Sequence, residues 1–400
     1  MCTYRLALLP LAIAACAVSA DEPTGLAAAL NDGKATVDSR LRWENVNDDA
    51  VLNSANALTW RNRLGYRTAP WYGFSVFAEI ENVLALNNDY NSTANGRAQY
   101  ATVADVEGTE WNQAGIAWDS GQGTQLVAGR QRIAFDNQRY IGNVGWRQNE
   151  QTFDAFTATQ TIGKTTTLRY AYLQNVHRVF GNYHPNPLLA EFNLDGHLLN
   201  ASHVFSLGTL TGYGYFIENE DLPLTSAKSV GARFAGAKPI ADPWKLVYAI
   251  EYAKQSQWRD GAAIIDADYS LIEIGAAHGA FTGKLGREML GGDGHYAFQT
   301  PFATLHAFNG WADKFLTTPV NGLVDTYVAI NGPLGSTQWL VAYHRFDADR
   351  GGADYGDEWD MSLSYPFKQR FTALAKVARY SSDSFARDTD KFWLSLEYRY

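Results

Sequence analysis

Beyond residue 16 the chain contains no cysteine. Its only two, Cys2 and Cys16, fall in an N-terminal leader, which excludes a disulfide framework and a thiolate metal site in the rest and suits transit through an oxidising periplasm. Outside that leader no run approaches the roughly 18 apolar residues of a spanning helix. Helix-sized periodicity is missing over any domain-sized stretch, so a soluble α/β fold is excluded. No Gly-x-Ser-x-Gly or His-Glu-x-x-His pattern occurs. The eight histidines (His177, His184, His197, His203, His278, His295, His306 and His344) are scattered, so no Ser–His or Asp–His nucleus points to an enzyme. No cofactor and no metal is implied. Positive charge is also short, with 33 Lys and Arg against 42 Asp and Glu and a net charge of −9, which argues against nucleic acid as a partner.

The leader itself is informative. Met1 to Arg5 carry one positive charge, Leu6 to Val18 are almost wholly apolar, and Val18-Ser19-Ala20 offers small residues before acidic Asp21-Glu22. That pattern reads as a secretory signal peptide over residues 1–20. Ile13-Ala14-Ala15-Cys16 resembles a lipoprotein processing box, with Cys16 as the lipidated residue. Cleavage after Ala20 is preferred, because a closed barrel needs no lipid anchor. Residues 21–34 then form a short periplasmic segment, with a helix over 24–31 capped by Gly33.

From residue 35 to 400 the dominant signal is alternation with period two. In 37–44, Val37, Leu41 and Trp43 oppose Asp38, Arg40, Arg42 and Glu44; in 58–67, Leu58, Trp60, Leu64 and Tyr66 oppose Thr59, Arg61, Arg63 and Arg67. The runs 74–81, 244–255 and 357–365 repeat the pattern. The chain ends the same way: Phe392, Leu394, Leu396, Tyr398 and Tyr400 share one face. A soluble sandwich shows its polar face to water, usually with Lys, Thr and Ser. Here that face is rich in Arg and Glu while the apolar face ends in Trp or Tyr. An arginine facing lipid at the midplane costs about 2–4 kcal/mol, so these charges belong inside a closed cylinder. The 22 Tyr, 20 Phe, 12 Trp and 35 Gly fit aromatic girdles around a wet interior.

Short turns near 69–72, 120–123, 161–164, 207, 238–243, 277–279, 332–335 and 367–369 alternate with longer loops near 47–56, 85–109, 133–150, 177–196, 220–226, 257–265, 291–321, 348–355 and 382–389. The expectation is therefore an all-β, single transmembrane antiparallel β-barrel in the bacterial outer membrane, of about 18 strands (16 as the alternative), with both ends periplasmic.

Several segments resemble the alginate-export family of outer-membrane proteins. The longest is Phe298-Gln-Thr-Pro-Phe-Ala-Thr-Leu-His-Ala-Phe-Asn-Gly-Trp-Ala-Asp-Lys-Phe315, followed by Thr318-Pro319 and Gly322-Leu323-Val324-Asp325. Others are Gly129-Arg130-Gln131, Asn137-Gln138-Arg139, Trp146-Arg147-Gln148, Arg61-Asn62-Arg63-Leu64-Gly65-Tyr66 and Tyr355-Gly356-Asp357-Glu358-Trp359-Asp360. The resemblance spans residues 35 to 400. It implies a single outer-membrane barrel and, for the founding activity, passage of a polyuronate. The chain is compact for that family, which argues against a long plug or gate.

A polyuronate needs fixed positive charge along its path, and the planar arginine fork suits a carboxylate. Alternation turns Arg40, Arg42, Arg61, Arg63, Arg169 and Arg233 inward. Arg130 is ambiguous by alternation and is placed inward by the cost of the lipid face, while Arg139 and Arg147 sit in a loop that can fold into the mouth. Glu251, Glu288, Asp325, Glu358 and Asp360 come from the second half of the chain. A basic wall facing an acidic wall, and hence a transverse field that focuses an anion, is expected. Pairs such as Arg61 with Glu79 offer the alternative that the arginines fill and stiffen the lumen. The 291–321 loop, carrying His306, Asn309, Trp311, Asp313 and Lys314, is expected to fold inward as a constriction, with Trp311 available to stack on a sugar. The partners expected are outer-membrane lipid, the outer-membrane barrel assembly machinery, an anionic saccharide or small organic anion as cargo, and periplasmic partners if the direction is export. An uptake channel for small acidic nutrients would use the same arginines, and the sequence does not separate the two directions.

Overall fold

The computed structural model describes residues 25–400; the leader, with both its processing alternatives, lies outside the described residues. Strands β1 Lys34–Asp48, β2 Ala55–Arg67, β3 Phe74–Ala85, β4 Gly108–Asp119, β5 Thr124–Gln131 and β6 Thr152–Ile162 make the first third of the wall. Next come β7 Thr166–His177, β8 Glu191–Val204, β9 Thr209–Asn219, β10 Ala227–Ala241, β11 Trp244–Gln257 and β12 Asp266–His278. The wall is completed by β13 Phe281–Leu290, β14 Leu323–Leu334, β15 Thr337–Asp347, β16 Asp354–Phe367, β17 Phe371–Ser382 and β18 Thr389–Arg399. Each strand pairs antiparallel with its sequence neighbours, and β1 also pairs with β18, with Asp38 across from Arg399 and Trp43 across from Leu394. Val37 and Tyr400 exchange backbone hydrogen bonds of 3.1 and 2.8 Å at this seam. The result is a closed barrel of 18 strands. Among the described residues no strand is left with an open edge, which is what a hydrocarbon environment demands.

The two faces of the wall show why the alternation has this phase. Leu64 and Ile272 point outward, 61% and 60% exposed, while Arg61 and Glu251 in neighbouring registers point inward, 0% and 3% exposed. Apolar side chains that exposed, repeated around the whole circumference, need lipid. Trp71, Phe74, Trp244, Phe281, Tyr365 and Tyr400 gather near the short-turn edge, and Trp43, Trp111, Tyr252 and Trp359 nearer the loop edge, as two girdles require.

Before the barrel, α1 Leu26–Asn31 ends with the Asp32 N–H donating to the Ala28 carbonyl. The expected Gly33 cap is thus not used. Gly33 instead lies where a Cβ would collide with the Tyr66 ring and the Arg67 carbonyl, so its role is close approach rather than capping.

Protein occupies much of the upper lumen. The 132–151 and 291–322 loops descend into it and join: Gly142 N–H donates to the Phe302 carbonyl at 2.9 Å, and Thr304 N–H to the Gln138 carbonyl at 3.1 Å. Ile133, Phe135, Tyr140 and Ile141 of one loop pack with Phe298 and Phe302 of the other, and with Tyr213, Tyr215 and Tyr269 on the wall. The hydrophobic core of this protein therefore sits inside the cylinder, towards its loop end. Burying each such aromatic stabilises the docked loops by about 1.5–3 kcal/mol. An ion pair can break even or worse once desolvation is charged against it, so apolar contact supplies the docking and the charges fix its register.

Candidate functional site

Strands β1 and β2 present Arg40, Arg42, Arg61 and Arg63 on the inner face, as alternation requires, and all four are buried. Arg40 meets Glu397 at 3.1 Å and donates to the carbonyls of Trp146 and Gly145 at 2.9 and 3.1 Å. Arg42 donates to the Trp146 carbonyl, lies 4.4 Å from that indole's centre, and sits 3.7 Å from Asp105. Arg61 is held by Asp38 and by Glu397 at 3.1 Å. Arg63 is held by Glu81 and by Glu150 at 3.5 Å. Glu79, the suggested partner of Arg61, binds Arg132 instead, and accepts from Asn112 at 2.7 Å.

The 132–151 loop carries two more guanidiniums across the lumen. Arg139 reaches Glu288 at 2.7 Å and donates to Thr300 and Asn309 at 3.0 Å each. Arg147 bridges Glu44 at 3.2 Å and Asp313 at 3.3 Å. Burial lowers the affinity of each guanidinium for its proton, but the facing carboxylates more than offset it and both pKa values are raised. Arg132 of the same loop and Arg63 of β2 hold the Glu150 carboxyl down to about 2 against its burial.

Arg233 faces the lumen from β10, 2.8 Å from Glu251, which also accepts from the Tyr213 hydroxyl at 2.7 Å. Arg169 faces it from β7, half-buried, with no ion pair among the described residues. Arg130 is the correction. It lies across from exposed Ala114 on β4 and pairs with Asp154 on β6 at 2.8 Å. Cross-strand partners share a face, so Arg130 takes the outer phase of the wall, near the loop edge. The lipid penalty used to place it inward fades to about 0–1 kcal/mol near the interface, and Asp154 neutralises what remains.

The arginines of β1–β2 and the acids of β11–β16 occupy different stretches of the wall, with β16 only three strands from β1, and neither stretch is bare. Glu44, Glu81, Asp105, Glu150 and Glu397 stand among the arginines. Among the acids, Asp325 accepts from His344 at 2.9 Å, and Glu358 and Asp360 accept the backbone N–H groups of Ala312 and Trp311 at 2.7 and 3.2 Å. Asp105 and Glu150 ride on loops, where alternation carries no information.

The 291–322 loop turns inward through this acidic arc. Asn309 donates to Glu288 at 2.6 Å and Asp325 at 3.2 Å, and Lys314 reaches Asp48 at 2.8 Å. His306 Nδ1–H donates to Asp313 at 2.7 Å, its Nε2 accepts from the Lys376 ammonium at 2.6 Å, and its ring stacks on Trp146 at 4.5 Å and 6°. Burial pushes the imidazole down to about 3 despite Asp313. Trp311 has one face 3.5 Å from Lys376, leaving a half-buried ring with one face already occupied. Asp313 also takes Lys391 at 2.8 Å. Lys376, Lys391 and Arg132 were not anticipated. The two lysines do alternate inward with Ala378 and Trp393, a signal weakened in β17 by its run of small residues.

No family model matches the chain and no curated protein resembles it in sequence; the resemblance to the alginate-export family gains no support there. Its fold does match solved structures. OccK2 (OpdF) of Pseudomonas aeruginosa in complex with glucuronate aligns at 14% identity over 92% of this chain and 98% of that one, with a TM-score of 0.71. OpdK of the same organism with vanillate aligns at 16% identity, 93% and 99% coverage and a TM-score of 0.69. OccAB2 of Acinetobacter baumannii gives 14%, 93%, 98% and 0.74. At these identities the likeness is one of fold: the same closed barrel over nearly the whole length.

Proposed function

We propose that this protein is a channel of the bacterial outer membrane that admits small acidic solutes. The observation that carries the reading is the partition built by the 132–151 and 291–322 loops, which join each other and reach both arcs of the wall. Such a partition obstructs a stiff polymer more than a compact solute, so uptake is preferred over the polyuronate export that the sequence first suggested. The lumen charge suits anions of one or two carboxylates: most arginines are already paired, so a cargo carboxylate exchanges partners rather than falling into a deep positive trap, and transport requires that release. The glucuronate and vanillate of the structurally similar proteins are both small carboxylates, which supports the same class here. The residues assigned to the path are Arg169, Arg233 and Arg132, with Arg139 and Arg147 holding the partition. The lipid belt, the closed seam and the two girdles support the outer membrane as the location, with lipid as the obligatory partner.

Reconstitution tests this. Proteoliposomes should take up glucuronate and an aromatic monocarboxylate faster than neutral sugars of equal mass, and exclude uronate oligomers of six or more units. Equal rates for charged and neutral solutes, or passage of the oligomers, would reject the reading.

A further inference from the structure

The 132–151 loop is not apolar throughout. It places an acid, Asp136, into the lower lumen with a left-handed backbone (φ +52°), a conformation that Asp and Asn tolerate better than most residues. Asp136 Oδ2 accepts from Asn200 Nδ2 at 2.7 Å, and the residue remains accessible from the lumen. Asn200 lies directly across from Arg169 on the neighbouring strand. Arg233 lies three strands away from Arg169, across from Thr211, roughly 14 Å along the wall. Burial raises the Asp136 carboxyl above the usual carboxylate range, and Asn200, the charges of Arg169 and Arg233, and Tyr215 act against that rise, although neither guanidinium forms an ion pair with it among the described residues. Arg169 has no ion pair among the described residues, and Arg233 spends only one nitrogen on Glu251. The lower lumen thus holds two incompletely satisfied arginines with a carboxylate of the protein's own near them, held by the Asn200 amide and the Tyr215 hydroxyl on a loop.

We propose that Asp136 is a tethered competitor for the cargo carboxylate: it occupies the anion position served by Arg169 and Arg233, and a passing carboxylate advances by displacing it. This rests on the uptake reading above and deepens it. A tethered group acts at an effective concentration in the millimolar range or higher, so it weakens cargo binding without abolishing it and restores the resting charge balance when the cargo departs. The site would therefore take one carboxylate at a time and release it quickly.

The test is Asp136→Asn, which keeps the left-handed backbone and removes the charge. Conductance in planar bilayers is recorded in potassium chloride with increasing glucuronate. The variant should saturate at a glucuronate concentration roughly fivefold lower than wild type, and its chloride-to-potassium permeability ratio should rise. Adding Arg169→Gln to Asp136→Asn should return both values towards wild type. An unchanged half-saturation together with an unchanged permeability ratio overturns the tether. If neither protein passes glucuronate, the uptake reading falls, and the permeability ratio alone then decides: raised, the tether stands; unchanged, it does not.

Discussion

Arg139 shows how a single side chain ties the partition to the wall. Its guanidinium is 1% exposed and reaches Glu288, Thr300 and Asn309. Removing one member of such a buried pair strands the other charge, at a cost of about 3–5 kcal/mol. Arg139→Gln should therefore lower the thermal midpoint in detergent and raise single-channel conductance, and Arg139→Gln with Glu288→Gln should recover part of both. A double variant no better than the single would show that the pair is not coupled. The inward phase of Arg40, Arg42, Arg61, Arg63, Arg169 and Arg233 was legible, because alternation with a lipid penalty leaves only one choice. Their partners were not: Glu397 meets Arg40 from 357 residues away, and no local pattern encodes that. Arg130 was misplaced because a penalty valid at the midplane was applied at the edge.

At the scale of elements, all eight turns, all nine loops and the 18 strands could be read from the sequence, since each depends on local periodicity. The inward fold of the 291–321 loop was legible from the odd composition of 306–314, but its union with the 132–151 loop was not, because those contacts join segments about 160 residues apart. Docking of the 291–322 loop carries a pH dependence. His306 is held to about 3 when docked, against about 6.5 for a free imidazole. Below about pH 6.5 the undocked loop binds a proton that the docked loop refuses, so docking is fully favoured above that pH and progressively lost towards pH 3. The groups facing His306 set this: Asp313 of its own loop, Lys376 of β17, Arg147 of the other loop, and the rings of Trp146, Trp311 and Trp393. Lowering the pH from 7 to 5 should increase open-state fluctuations in bilayer recordings, and His306→Gln should flatten that response. A wild-type trace unaltered by pH would remove the assignment.

For the whole molecule, the wall separates two solvents at single-residue resolution. Leu394 faces lipid and Ser395 the lumen. Leu394→Arg should reduce folding stability by about 2–4 kcal/mol, measured by denaturant titration in lipid vesicles, whereas Ser395→Arg should cost far less. Equal losses would contradict the orientation of the last strand. Among the described residues, the loops that enter the cylinder hang from one rim, while the opposite rim carries tight turns and the short helix α1. What passes can therefore be rewritten by exchanging inserts at the loop edge, with no lipid-facing residue altered, so descendants of one scaffold can diverge in the solutes they pass while their membrane-embedded staves stay the same.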